Sequence, residues 1–122
     1  MCAIAAGIGT MHAAVLNGIC GDNLTCTLNT KDSTLIIEGY GDMNTSLYSP
    51  WYEYRTYIKH IALPEKLTGI ADYAFYGCSN LTSINIPDSV KWIGTCAFEG
   101  CGLKSIYLPD SVKRVSGGAF WS

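Results

Sequence analysis

The chain has 122 residues and a formal net charge of −2, from ten acidic and eight basic side chains. A chain of this length forms one domain with a sizeable core, and its charge provides no polybasic surface for nucleic acid. Only 15% of the residues are charged, less than is usual, and no apolar run approaches the roughly 20 residues that a membrane-spanning helix needs.

Residues 1–16 are apolar and rich in small side chains, and they contain neither Lys nor Arg. We interpret them as an apolar leader or a disordered extension. They could equally be the remnant of a secretory signal, although they have no obvious cleavage site. His12 lies here, and no motif places a nucleophile beside it.

Residues 17–57 are predicted to form an N-terminal β cap. Two short runs alternate apolar and polar residues on either side of a polar turn at 29–33, which is typical of a β-hairpin. The alternating residues are Leu24, Cys26 and Leu28 before the turn, and Leu35 and Ile37 after it. Such a cap would cover the end of a stack of repeats, whose apolar interior is otherwise exposed.

The last part of the cap is aromatic and is predicted to be a short helix. Ser49 is a typical N-cap, and Pro50 a typical first helical residue. Trp51, Tyr54 and Ile58 follow at helical spacing and should lie on one face. We expect this face to pack on the first repeat; the alternative is an aromatic platform for a sugar.

Three related stretches follow, at 58–80, 81–102 and 103–122, the last of them truncated. Equivalent residues are 23 and then 22 positions apart. A period in the low twenties that opens with L-x-x-[IL]-x-[IL] predicts a leucine-rich repeat solenoid, α/β to mostly β in class. The equivalent residues include Pro64, Pro87 and Pro109; Ile70, Ile93 and Val115; and Phe75, Phe98 and Phe120.

Each repeat is interpreted as one coil. The alternation at residues 81–86, and at the equivalent 103–108, predicts a strand with every second side chain inward. Phe98 is expected to close the second coil in a short helical turn, and Gly100 to end that turn with a positive φ. No coil can bury its apolar residues alone, so the apolar side chains of each coil are shielded from water only when the next coil stacks on it.

Six cysteines are many for 122 residues; an oxidising compartment could pair some of them, and a reducing one would leave thiols. Cys78 and Cys101 occupy the same position in successive coils. Parallel Cβ vectors about 5 Å apart fit the disulfide dihedral poorly, so we favour a ladder of buried thiols over a bridge. Cys20 and Cys26 could pair across the hairpin, and the state of Cys96 is open.

The candidate functional site is a surface, because the sequence contains no catalytic, phosphate-binding or metal-binding motif. In each coil, the residues beside the central inward Ile should point outward, and stacking makes them a polar patch that we call the strand face. It consists of His60, Ala62, Ser83, Asn85, Ser105 and Tyr107. Solenoids bind partners through such faces; the alternative is a merely solvated surface. Trp92 and Arg114, at equivalent positions on a second side, predict a cation–π stack and a secondary contact.

The repeats resemble a known family. The units L-x-x-I-x-[IL]-P-D-S-V-x-x-[IV]-G and A-F-x-G-C are similar to the BspA-like leucine-rich repeats of surface proteins from mucosal bacteria and protists. The resemblance covers Ile58 to Phe120, about half of the chain. The segments 20–28, 35–41 and 49–52 also resemble the module that often precedes such repeats, with Cys26 where a Trp is expected.

A repeat scaffold without catalytic groups predicts a non-enzymatic binding module that uses the strand face. The resemblance implies that it is an adhesion module of a cell-surface or secreted protein, which attaches to host or extracellular matrix proteins. Two alternatives stay open: a carbohydrate-binding module that uses Tyr107 or Trp51, and a purely structural scaffold fragment of a larger repeat array. We expect no cofactor, no nucleic-acid partner and no membrane span. The third coil ends at Trp121-Ser122 without a polar cap, which predicts self-association through that end.

Overall fold

The computed structural model describes residues 15–44 and 49–121 of the chain. His12 and most of the predicted leader lie outside these residues. The elements are, in chain order, β1 (Val15–Gly21), β2 (Leu24–Asn29), β3 (Thr34–Asp42), a 3-10 helix (Tyr52–Tyr57), β4 (His60–Ala62), β5 (Lys66–Ile70), β6 (Trp92–Ile93) and β7 (Arg114–Val115). No helix in the described part of the chain has the length and apolar character needed to cross a membrane.

The N-terminal cap is an antiparallel meander of three strands. The predicted hairpin is confirmed as β2 and β3, with Cys26 opposite Ile37 and Leu28 opposite Leu35. These four side chains are buried, because alternation directs them all to the inner face of the sheet. The sequence analysis did not anticipate β1, which pairs with β2 and begins at Val15, within the segment interpreted as a leader.

Strand β3 joins the cap to the coils. Its first half pairs in parallel with β4, where Leu35 lies opposite Ile61. Its second half pairs in parallel with β5, where Tyr40 lies opposite Lys66. The sheet then continues from β5 to β6 and from β6 to β7. One strand therefore connects the meander to two different sides of the first coil.

The repeats stack as coils, and two lines of backbone hydrogen bonds connect each coil to the next. One line runs along β5, β6 and β7, where the N–H of Lys91 donates to the carbonyl of Thr68 over 2.8 Å. The other runs through the turns that contain Phe75, Phe98 and Ala119: the N–H of Phe75 donates to Ala97, and that of Phe98 to Ala119, over 2.8 and 2.7 Å. The predicted repeat solenoid is confirmed as an open, mostly β repeat fold.

The position of the strands within the coils differs from the prediction. Residues 81–86 and 103–108, predicted as strands, form no regular strand, whereas 92–93 and 114–115 do. The side-chain pattern is kept, since Ile86 is buried and Asn85 is exposed. Alternation reports only the direction of side chains, whereas a strand also needs a neighbouring backbone about 4.8 Å away. The hydrogen-bond ladder between these coils forms instead at residues 92–93 and 114–115, on another side of each coil.

The turn that closes each coil has the expected geometry at its end. Gly77 and Gly100, at equivalent positions, have φ of 73° and 77°, a region that glycine enters without a Cβ penalty. The N–H of Gly77 donates to the carbonyl of Glu99 over 2.7 Å. Each glycine therefore ends its turn while keeping the backbone in contact with the next coil.

The interior of the stack is a single file of aromatic rings. Phe75 and Phe98 have centroids 5.3 Å apart, as do Phe98 and Phe120. Trp51 stacks on Phe75 at 5.5 Å and is fully buried. The expectation that the aromatic segment packs on the first repeat is confirmed, and Trp51 cannot be an exposed sugar platform.

The helix that follows Trp51 starts later than predicted. It is a 3-10 helix from Tyr52, and no side-chain hydrogen bond caps it, so the assignment of Ser49 as N-cap was wrong. The backbone carbonyl of Ser49 accepts the N–H of Tyr52 over 3.1 Å, and the indole N–H of Trp51 donates to the carbonyl of Ala74 over 2.9 Å. The first turn is thus tied to coil one by the indole and not by a hydroxyl cap.

Replacing Phe98 by Ala tests the aromatic file. Because the ring lies between two others in a closed interior, we expect the free energy of unfolding to fall by about 3–5 kcal/mol, measured by urea denaturation. Tyr107→Ala is the matched control, since its ring is 75% exposed, and it should change stability by less than about 0.5 kcal/mol. A loss below about 1 kcal/mol for Phe98→Ala would contradict the file as the main source of stability.

Candidate functional site

All six residues of the predicted strand face are exposed in the structure. The inward residues between them, Ile61, Ile84 and Ile106, are half-buried, as alternation predicts. Tyr107 is 75% exposed and carries the one aromatic ring of this face. Only β4 is a regular strand here, but the name strand face is kept for these residues.

A groove of about 210 Å³ crosses the strand face between the first two coils. His60, Ser83 and Asn85 line it, with Ile61 and Ile84 beside them. An imidazole, a hydroxyl and an amide can both donate and accept hydrogen bonds. The groove is smaller than the 300–1,000 Å³ typical of small-molecule pockets, so it suits a contact with a partner's surface.

The other strand-face residues lie outside this groove. Ala62, Ser105 and Tyr107 are exposed but do not line it. The structure therefore brings together three of the six predicted residues in one groove, and the other three lie outside it. A ligand that contacts all six would have to extend over all three coils.

The predicted secondary contact has the expected geometry. Trp92 on β6 lies opposite Arg114 on β7, and the guanidinium carbon is 5.9 Å from the centroid of the indole, within the range of a cation–π interaction. A Cβ at Gly69 would collide with the Trp92 ring. Glycine at that position thus lets the indole lie directly on the β5 backbone.

Cys78 and Cys101 are thiols in contact across two coils, the arrangement that the sequence analysis favoured. The hydrogen bond with Cys101, together with burial, raises the pKa of the Cys78 thiol far above its usual value. The hydrogen bond with Cys78 lowers the pKa of Cys101, which is also partly exposed. The pair therefore has one buried thiol, Cys78, and one partly exposed thiol, Cys101.

A similar contact occurs in the cap. The hydrogen bond with Cys20 lowers the pKa of the Cys26 thiol, and both side chains are buried. Cys96 is different, because its hydrogen bond with Glu99 raises its pKa. Within residues 15–44 and 49–121, no group of three His, Cys, Asp or Glu side chains is placed to hold a metal ion.

The sequence analysis missed a pocket of about 410 Å³ between the cap and the coils, which we call the junction pocket. Its walls come from three distant stretches of the chain. They comprise Asp22, Asn23, Tyr40, Gly41, Asp42, Met43, Asn44 and Trp92. The polar turn at Asp22-Asn23 and the G-Y-G-D stretch at 39–42 were the available signals, but neither indicates which part of the chain lies opposite.

Comparisons with known proteins agree with this architecture. A family model described as BspA type leucine rich repeat region, with six copies, matches residues 45–122, more than half of the chain. A leucine-rich repeat protein from Eubacterium ventriosum ATCC 27560, solved by crystallography at 2.50 Å resolution, is similar with a TM-score of 0.73 and 26% identity. The similarity covers 84% of this chain and 28% of that protein. The search of curated proteins found no match.

The thiol pair makes a prediction that alkylation can test. With iodoacetamide at neutral pH, Cys101 should react before Cys78, since its lowered pKa gives more thiolate and its side chain is partly exposed. Peptide mass mapping of the native protein would give the order. In a Cys101→Ser control, Cys78 should stay unlabelled until denaturant is added. Equal labelling of both cysteines in the native protein would contradict the contact.

Proposed function

The chain belongs to the BspA-type leucine-rich repeat family, and from this membership we propose that it is a non-enzymatic module that binds another protein through the strand face. The observation that carries the proposal is the groove between the first two coils, lined by His60, Ser83 and Asn85. Stacked repeats hold these side chains on a rigid surface, which lowers the entropy cost of binding.

The chemistry of the strand face supports a protein partner. The groove combines hydrogen-bonding side chains with the edges of Ile61 and Ile84, and Tyr107 adds an exposed ring beyond it. Polar groups around an aromatic side chain are typical of protein-binding surfaces. The face has no strong charge of either sign, so specificity would come from hydrogen bonding and shape.

The setting that we propose is the cell surface or the extracellular space, with host or matrix proteins as partners. The support is the family membership, because the repeats of this chain resemble the BspA-like repeats of surface proteins. The chain spans less than a third of the solved relative's length. A free intracellular scaffold remains the contrasting proposal, and in it all cysteines would titrate as thiols.

A carbohydrate ligand is the second candidate function, favoured by one observation. Tyr107 is 75% exposed, so a sugar could stack on its ring. Trp51, the other aromatic side chain considered for this role, is buried and cannot take part. In this case, signals on a glycan array would be lost with Tyr107→Ala.

Self-association is a further part of the proposal. In the third coil, Val115 is 43% exposed and Trp121 is 66% exposed, and Phe120 is the last described ring of the aromatic file. A second copy that covers this apolar surface would remove it from water. Sedimentation over a range of concentrations measures this, and a strictly monomeric species at high concentration would contradict it.

A pull-down from extracellular matrix extract tests the strand face. We expect the triple variant His60→Ala, Asn85→Ala, Tyr107→Ala to recover partners at least about tenfold less well than the wild type, since each loss of about 1.4 kcal/mol is tenfold in affinity. The matched control is Thr25→Ala, Glu38→Ala, Tyr57→Ala, whose side chains are also exposed. Equal recovery by both triple variants would remove the strand-face proposal.

A further inference from the structure

The junction pocket lies where the cap meets the second coil. The β1–β2 turn contributes Asp22 and Asn23, the end of β3 contributes Tyr40 and Asp42, and β6 contributes Trp92 across the opening. At about 410 Å³, the cavity falls in the range of ligand pockets in proteins. Its residues are separate from those of the strand-face groove.

Backbone hydrogen bonds hold the walls of this pocket in place. The N–H of Tyr40 donates to the carbonyl of Asn23 over 3.1 Å, and the N–H of Asn44 donates to that of Cys20 over 2.8 Å. The N–H of Met43 donates to the carbonyl of Gly69 over 2.9 Å. The first two bonds hold the β1–β2 turn and the end of β3 together within the cap, and the third joins the cap to the first coil, so the pocket is formed before any ligand arrives.

The polar groups of the pocket favour a positive charge. Two of its lining residues, Asp22 and Asp42, are carboxylates, and none of the described residues that line it is basic. The hydroxyl of Thr68 donates to one oxygen of Asp42 over 2.6 Å, which orients the carboxylate and leaves its second oxygen able to accept. The side-chain amides of Asn23 and Asn44 add further carbonyl acceptors.

The apolar walls suit the stem of a long cationic side chain. Tyr40 is 54% exposed, and Trp92 is half-buried, so both rings are in reach of a ligand. Aromatic rings attract ammonium and guanidinium groups by about 0.5–2 kcal/mol. The Trp92 ring lies between the backbone at Gly69 and the guanidinium of Arg114, so Tyr40 is the ring that would attract the cation, and Trp92 would contact the aliphatic stem. At Gly41, φ is +89° and none of the described residues has an atom within 4 Å of a would-be Cβ, so the described backbone leaves the opening clear there.

We propose that the junction pocket receives a lysine or arginine side chain of a protein partner. The ammonium or guanidinium group would form charge-assisted hydrogen bonds with Asp22 and Asp42, while its aliphatic stem packs against Tyr40 and Trp92. The inference goes beyond the strand-face proposal, because it needs a different set of residues and names the chemistry of the contact.

The test is a titration of the ¹⁵N-labelled protein, followed by NMR, with three capped tripeptides at low salt: Gly-Lys-Gly, Gly-Arg-Gly and Gly-Gln-Gly. We expect the lysine or arginine peptide to shift the signals of Gly41, the Asn23 and Asn44 side chains and the Trp92 indole. The Gln peptide should cause no shift at these positions, and 0.5 M salt should weaken binding, since it screens exposed charges. Comparing the two basic peptides shows which cation the pocket prefers.

Two double variants distinguish binding in the pocket from a general effect of net charge. The double variant Asp22→Asn, Asp42→Asn should bind the basic peptides about tenfold less well, which corresponds to roughly 1.4 kcal/mol. Asp88→Asn, Asp110→Asn is the control, because it makes the same change of net charge at exposed turn residues and should leave binding unchanged. The dispersion of the amide signals checks that each variant is folded.

Several outcomes would overturn the proposal. They are equal shifts with the Gln peptide, an equal loss in both double variants, and no shift at the pocket with either basic peptide. Binding of a neutral oligosaccharide such as cellotetraose, insensitive to salt and lost with Tyr40→Ala, would assign the pocket to sugars instead. The strand-face triple variant should bind the basic peptides normally, so failure of one proposal is distinguishable from failure of the other.

Discussion

The structure depends on the file of stacked rings formed by Trp51, Phe75, Phe98 and Phe120. Neighbouring centroids lie 5.3–5.5 Å apart, a distance at which aromatic pairs contribute about 0.5–1.5 kcal/mol beyond the area that they bury. A single coil is too thin to surround its own ring, so each ring is shielded by the coils on either side. Trp51 takes the place of a Phe ahead of the first coil, and the file thus continues into the cap.

Both candidate surfaces follow from the way that β3 joins the cap to this stack. Its pairing with β4 places His60 and Ala62 on the strand face, and its pairing with β5 places Tyr40 and Asp42 beside the first coil. One surface is neutral and hydrogen-bonding, and the other is acidic with aromatic walls. A partner that contacts both surfaces would be recognised by shape and hydrogen bonding at the strand face and by charge at the junction pocket.

Stacking also determines local conformation against the preference of individual residues. Tyr73, Cys96 and Gly118 are equivalent positions, with φ of 58°, 55° and 72°. Only glycine adopts this region freely, and other residues lose about 1–2 kcal/mol there. The N–H groups of Tyr73 and Cys96 donate to the next coil, so the hydrogen bonds between coils offset the strain. The same backbone therefore recurs whatever the side chain.

The sequence by itself determined the repeat, its period and its inward residues. Apolar side chains such as Phe75, Phe98 and Ile93 recur at fixed positions, and these positions show which face of the coil is buried. It also located the strand face, since alternation survives even where no strand forms. Only the tertiary structure decided where the ladders run, that β1 joins the cap, and that Asp22 and Trp92 share a pocket. These depend on which backbones approach each other across 70 residues of chain, and no local pattern of side chains records that approach.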